Sequence, residues 1–158
     1  MNHTVGIGEM RVSSRPEDVL VTYSLGSCVG LAVYDPVACV GGLIHCMLPL
    51  SKIDLQKACA NPCMFTDLGA QVLLQTVFDH GAEKRRLVVK VAGAAEALDR
   101  EGVFKIGERN YTVLRKVLWK NDILIAAEDI GGTSPRTLTL YMDNGRTTVR
   151  SRGQEVEL

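Results

Sequence analysis

No uninterrupted apolar run in this chain approaches the ~20 residues that a helix needs to cross a bilayer, so a membrane-inserted protein is not expected. The opening residues, Met1-Asn2-His3-Thr4-Val5-Gly6, lack a basic stretch followed by an apolar core. They do not read as a secretory signal, and the expected location is the cytoplasm. Net charge is missing as well, since 18 basic side chains cancel 18 acidic ones. A general polyanion binder needs a basic excess, so nucleic acid is not an expected partner. The chain has no internal repeat and no low-complexity tract. Asp129-Ile130-Gly131-Gly132 has glycines but no lysine-bearing phosphate loop around them, and it reads as a turn. Cysteine is absent from the second half. The five present (Cys28, Cys39, Cys46, Cys59 and Cys63) are odd in number, which argues against a disulfide framework. Cys59-x3-Cys63 could face one side of a helix, but it matches no closed zinc spacing, and no metal is expected.

What is present is enough for one packed unit. With 158 residues and 46 % hydrophobic side chains, the chain reads most simply as a single domain over residues 1–158. Val5 to Val12, Val19 to Tyr23, Val29 to Tyr34 and Val40 to Leu48 read as strands, each stopped by turn residues or proline. The short Asp35-Pro36 connection predicts that the last two pair as a hairpin. Ser51 to Pro62 reads as a loop or short helix. Leu68, Val72, Leu73, Thr76 and Val77 recur at helical spacing over Thr66 to His80, and Tyr111, Leu114, Val117 and Leu118 do so in a second helix opening at Ile106. Leu87 to Val91, Ile123 to Ala127, Thr137 to Met142 and Thr147 to Arg150 read as further strands, with Asp143-Asn144-Gly145 as a hairpin turn. Residues 153–158 are expected to fray. This order predicts an α+β sandwich: a mixed, largely antiparallel sheet with helices packed outside it.

One constellation offers chemistry. Cys28 follows Gly26-Ser27 between two apolar runs, and His45 lies seventeen residues later in the partner strand of the predicted hairpin. Folding that hairpin brings the thiol and the imidazole near each other. An imidazole that removes the thiol proton leaves a thiolate able to attack an acyl carbon. The oxyanion then needs donors, and a tight turn such as Gly26-Ser27-Cys28 can supply backbone N–H groups. The base needs a third group to orient its other nitrogen. No Asp or Glu stands between Val19 and Tyr34, whereas Thr22, six residues before Cys28, carries a hydroxyl. The same residues also fit a plainer reading: a buried structural thiol, a satisfied core histidine and a threonine favoured in strands. His3 falls in an expected mobile terminus, and His80 at a helix C-terminus, where a capping role is expected. Lys84-Arg85-Arg86 reads as a solvated basic face.

Leu25-Gly26-Ser27-Cys28-Val29-Gly30, Asp35-Pro36 and Gly41-Gly42-Leu43-Ile44-His45-Cys46-Met47-Leu48-Pro49 together resemble the chemoreceptor glutamine deamidases of the CheD family. The resemblance continues through Lys90-Val91-Ala92-Gly93-Ala94-Ala95, Ile106-Gly107-Glu108-Arg109-Asn110 and Asp129-Ile130-Gly131-Gly132. It departs at Val91-Ala92-Gly93-Ala94-Ala95, where the family commonly carries a Phe-Gly-Gly-Ala-like stretch, and at Ser134-Pro135-Arg136, where Gly-Arg usually follows the Gly-Gly. The resemblance implies a fold similar to the catalytic domain of cytotoxic necrotizing factors. It implies Cys28, His45 and Thr22 as the catalytic set, with Gly26 and Ser27 supporting the oxyanion, and no cofactor. The implied activity converts glutamine side chains of methyl-accepting chemotaxis receptors to glutamate through a cysteine thioester. The implied second partner is a CheC-type phosphatase of the response regulator CheY. An adaptor that docks on receptors or on CheC without turnover is the alternative.

Overall fold

Alternation along the strands decides the layering in this computed structural model, which describes residues 1–96 and 105–158. The strands are β1 (Asn2–Thr4), β2 (Met10–Ser13), β3 (Val19–Leu25), β4 (Val29–Asp35), β5 (Val40–Cys46), β6 (Val88–Gly93), β7 (Ala127–Ile130), β8 (Arg136–Tyr141), β9 (Thr147–Ser151) and β10 (Gln154–Glu157). The helices are α1 (Leu55–Ala60), α2 (Thr66–Asp79) and α3 (Ile106–Lys120). Two five-stranded sheets form, in the orders β1-β3-β8-β9-β10 and β2-β5-β4-β6-β7. Both are mixed: β1 with β3 and β6 with β7 run parallel, and the remaining neighbours run antiparallel.

Every residue of β4 and β5 is buried, so both faces of the second sheet are covered. Val29, Leu31, Val33 and Ile44 face the helices, where they meet Leu73, Val77, Leu114 and Leu118. Ala32, Tyr34 and Leu43 face the first sheet and meet Leu20, Leu25, Leu138 and Leu140. Each fully buried Leu or Val contributes roughly 1.5–3 kcal/mol of transfer free energy, so both interfaces are substantial. The result is an α+β sandwich of three layers: sheet, sheet, helices.

The predicted hairpin forms as expected, with Gly30 opposite His45 and Val33 opposite Gly42. Both predicted helices form, and the one helix-covered sheet of the expectation is present. A second sheet, beyond the single one expected, covers the opposite face. The expected strand over Val5 to Val12 is split, because Gly6 to Glu9 makes a turn in which Glu9 N–H donates to the Gly6 carbonyl and the Glu9 carboxylate accepts from Gly6 N–H. The expected fraying of residues 153–158 is not met. Arg152 and Gly153 both have positive φ (53° and 76°), the geometry of a tight hairpin turn, and β10 pairs with β9 over four residues. His3 is likewise held, in β1, with Nε2 3.2 Å from the buried Asp18 carboxylate. Of the expected solvated basic face, Arg86 instead pairs with the fully buried Asp35 at 2.9 Å.

Candidate active site

The chain changes sheets at the residues singled out for chemistry. β3 belongs to the first sheet and β4 to the second, and the bend Gly26–Cys28 connects them. The approach to that bend is irregular. The register of β3 against β8 shifts between Thr22 and Leu25, and Ser24 adopts a positive φ of 58°. Such a bulge re-aims the residues that follow it and is found next to active sites. The far side of the bend is pinned by β6 and its extension: Ala94 N–H donates to the Cys28 carbonyl and Ala95 N–H to the Gly26 carbonyl, each at 2.8 Å. Gly93 permits this close approach. Its φ is +107°, and a Cβ there would lie 2.5 Å from the Cys28 carbonyl oxygen. Gly26 behaves differently: among the described residues, a Cβ on it would meet nothing within 4 Å.

His45 sits on the inter-sheet face of β5, in the same alternation as Leu43, and is 1 % exposed. Its Nδ1 lies 2.7 Å from Thr22 Oγ1, which reaches across from the first sheet. Thr22 is fully buried, and Oγ1 also lies 2.6 Å from the Val5 carbonyl oxygen. A hydroxyl has one hydrogen, and a carbonyl oxygen can only accept. Thr22 therefore donates to Val5, and His45 Nδ1–H donates to Thr22. In neutral His45 the proton is on Nδ1, and Nε2 carries the free lone pair. Nε2 is buried and, among the described residues, has no hydrogen-bond partner.

Cys28 is half-buried and packs against the same inter-sheet cluster. It stands two residues before Gly30, the residue opposite His45, which makes it a diagonal neighbour of the imidazole. In a regular ladder that diagonal spans about 7–8 Å between backbones. The thiol makes no hydrogen bond with Nε2 in this arrangement. Burial pushes the Cys28 thiol above its usual value, against a smaller lowering by its own backbone N–H. Burial also pushes the His45 imidazole down to about 4. Both shifts favour the uncharged forms, so the pair rests as thiol and neutral imidazole. The ion pair expected from the sequence has to form during the reaction.

The structure thus brings Thr22 and His45 into direct contact and places Cys28 in the same layer, with Gly26 and Ser27 in the bend beside it. His80 caps α2, with Nδ1 2.8 Å from the Thr76 carbonyl. Cys59 is exposed on α1, and Cys63 is half-buried in the short 3₁₀ turn that follows. One residue whose role is not apparent from its place in the sequence is central here. Asn110 of α3 is fully buried, and its side-chain amide joins Ser27, Met47 and Thr66. The available signal was its position: it shares the buried face of α3 with Gly107, Leu114 and Val117.

With this geometry in view, comparison with known proteins is specific. Residues 47–151 match the family model described as CheD chemotactic sensory transduction. A protein of Solibacter usitatus named "Probable chemoreceptor glutamine deamidase CheD" is 48 % identical over 154 residues, covering 98 % of this chain and 91 % of that one. A protein of Syntrophus aciditrophicus named "Probable chemoreceptor glutamine deamidase CheD 1" is 46 % identical over 149 residues, covering 94 % and 93 %. A third, "Probable chemoreceptor glutamine deamidase CheD 2" of Anaeromyxobacter dehalogenans, is 41 % identical over 155 residues, covering 98 % of both chains.

Proposed function

This chain belongs to the CheD family, and from that membership and the arrangement of Thr22, His45 and Cys28 we propose that it is a chemoreceptor glutamine deamidase with Cys28 as nucleophile. The observation that carries the reading is the hydrogen-bond relay Val5 carbonyl, Thr22 hydroxyl, His45 Nδ1–H, which leaves Nε2 free to take a proton.

The steps follow from that polarity. The Cys28 thiol adds to the side-chain amide carbon of a glutamine as its proton passes to His45 Nε2. Thr22 holds the ring and stabilises the imidazolium by accepting from Nδ1–H. Negative charge develops on the amide oxygen, where the Ser27 and Cys28 N–H groups of the bend can receive it; Gly26 N–H is already given to the Ser24 carbonyl at 2.9 Å. Imidazolium His45 then protonates the leaving nitrogen, the C–N bond breaks, and ammonia departs from a glutamyl thioester. Water loses a proton to neutral His45, adds to the thioester and releases glutamate and the thiol. Glutamine and water become glutamate and ammonia, with no redox change. The same acyl-enzyme would also hydrolyse a glutamyl methyl ester.

The substrates are methyl-accepting chemotaxis receptors, whose helical cytoplasmic part carries the glutamines, so the site of action is the cytoplasm. Among the described residues no helix is long and apolar enough to cross a membrane. A CheC-type phosphatase of CheY is the second partner that the resemblance implies. The deciding experiment is mass spectrometry of a purified receptor fragment after incubation with the protein. Each conversion adds about one dalton, and Cys28→Ala abolishes it. Turnover that survives Cys28→Ala rejects the nucleophile. A fragment that binds but is unchanged by the wild type turns the reading to a docking adaptor.

A further inference from the structure

Asn110 occupies a position where a helix of this kind carries an apolar side chain. It lies on the buried face of α3 and is 0 % exposed. A buried amide costs free energy unless its groups are bonded. Here Nδ2 donates to the Ser27 carbonyl at 2.9 Å and to the Met47 carbonyl at 3.0 Å, and Oδ1 accepts from Thr66 Oγ1 at 3.0 Å. The orientation is determined by the partners, because a reversed amide would set Oδ1 against two carbonyl oxygens. One side chain from the helix layer therefore ties the bend that carries Cys28 to the segment two residues beyond His45.

We propose that Asn110 is a positioning residue that aims the Cys28 backbone N–H at the oxyanion of the acyl intermediate, an inference that rests on Cys28 being the nucleophile. The Ser27 carbonyl and the Cys28 N–H belong to one peptide group. That group is planar and trans, since no cis peptide occurs among the described residues, so the two point in opposite directions. Holding the carbonyl fixes where the N–H points. A hydrogen bond on the carbonyl also polarises the N–H and makes it a stronger donor. The Cys28 N–H donates to no other residue among those described. The second anchor, at Met47, keeps this peptide at a constant distance from the strand that presents His45.

The test compares Asn110→Asp, which keeps the shape and loses both donated bonds, and Asn110→Leu, an apolar occupant of similar size, with Thr66→Val. Ammonia release from a receptor fragment gives kcat and KM, a thermal melt checks folding, and iodoacetamide measures the reactivity of the Cys28 thiol. Alkylation displaces iodide from a saturated carbon and forms no oxyanion. In whichever of the two Asn110 variants melts above the assay temperature, kcat falls about 10- to 100-fold. KM and the alkylation rate stay within about twofold. Thr66→Val retains both donated bonds; it lowers the melting temperature and keeps kcat within about threefold. Wild-type kcat in a folded Asn110 variant overturns the proposal. So does a loss of alkylation in proportion to deamidation, which would mean that Asn110 serves the thiol and not the oxyanion. Failure of the underlying reading looks different: the wild type then releases no ammonia, or Cys28→Ala still does.

Discussion

Replacing Thr22 by Val isolates the relay that sets the tautomer of His45. The two side chains have the same shape, and Thr22 is fully buried in the inter-sheet layer, so the change removes a hydroxyl without opening a cavity. Two hydrogen bonds vanish together, the 2.6 Å bond to the Val5 carbonyl and the 2.7 Å bond from His45 Nδ1–H. Leaving buried partners unsatisfied costs about 1–3 kcal/mol each, so a stability loss of roughly 2–4 kcal/mol is expected once some relaxation is allowed. The imidazole escapes part of that cost by moving its proton to Nε2, the nitrogen that has to accept the thiol proton. If the lost bond held the productive tautomer by about 1.4–2 kcal/mol, kcat falls about 10- to 30-fold. KM is unchanged, because Thr22 touches no substrate. Thr22→Ser keeps the hydroxyl and restores kcat to within about threefold, despite the lost methyl packing. Ammonia release gives the rates, and nitrogen chemical shifts of the His45 ring report the tautomer directly. A Thr22→Val protein with wild-type kcat, or a Thr22→Ser protein as slow as Thr22→Val, refutes the relay.

Three further outcomes follow from the buried titratable groups. Since the neutral imidazole is the working base and burial holds it at about 4, kcat/KM keeps its plateau well below pH 6.5 and drops only near pH 4–5; an acid limb centred at 6.5 would contradict this. The same depression acts on stability. The unfolded chain protonates its histidine near 6.5 while the folded chain resists until about 4, so roughly 3 kcal/mol is lost as pH falls through that window, and His45→Asn removes that slope from urea melts. Burial would raise the Asp35 carboxyl, but Arg86 and the N–H groups of Glu83, Ala38 and Val37 outweigh it and hold the group below its usual range. Asp35→Asn leaves Arg86 without its buried partner and costs about 3–5 kcal/mol by urea unfolding at neutral pH, a difference that shrinks as pH falls below 3.8.

The parts of this molecule that were legible in its sequence share a property: their partners are near in the chain. The β4–β5 hairpin is closed by Asp35-Pro36, and once it is read, Gly30 must face His45 and Cys28 must approach it. The two long helices declare themselves by spacing, because an amphipathic stripe is a local pattern. The first sheet was not legible as a separate layer. β3 pairs with β8 across more than a hundred residues, and nothing in Val19–Leu25 names that partner. The terminal strand was missed for the opposite reason. Gln154–Glu157 is exposed throughout, so no buried face marks it; the Arg152-Gly153 turn and its pairing with β9 hold it in place. Thr22 was legible as a hydroxyl near the nucleophile, but its polarity was not, because that depends on the Val5 carbonyl of a neighbouring segment. Asn110 lay in a motif that carried the family resemblance, yet its role needs Ser27 and Met47 in space.

Each of the three layers contributes one constraint to the reaction centre. The first sheet supplies Thr22 and hence the proton position on His45. The second sheet supplies His45 itself and, through Ala94 and Gly93, the placement of the Cys28 carbonyl. The helix layer supplies Asn110, which holds the peptide entering Cys28. None of these groups lies on a free loop, and the bend that bears the thiol is also the place where the chain passes from one sheet to the other. A shift of the sheets against each other would separate Thr22 from His45 before it disturbed either sheet internally. Core substitutions between the sheets, at Leu43 or Leu138 for example, therefore act on the chemistry through geometry, since a displacement of even 1 Å at the reacting atoms can cost about 100-fold in rate. Substitutions on the outer, solvent-facing side of the first sheet leave that register untouched.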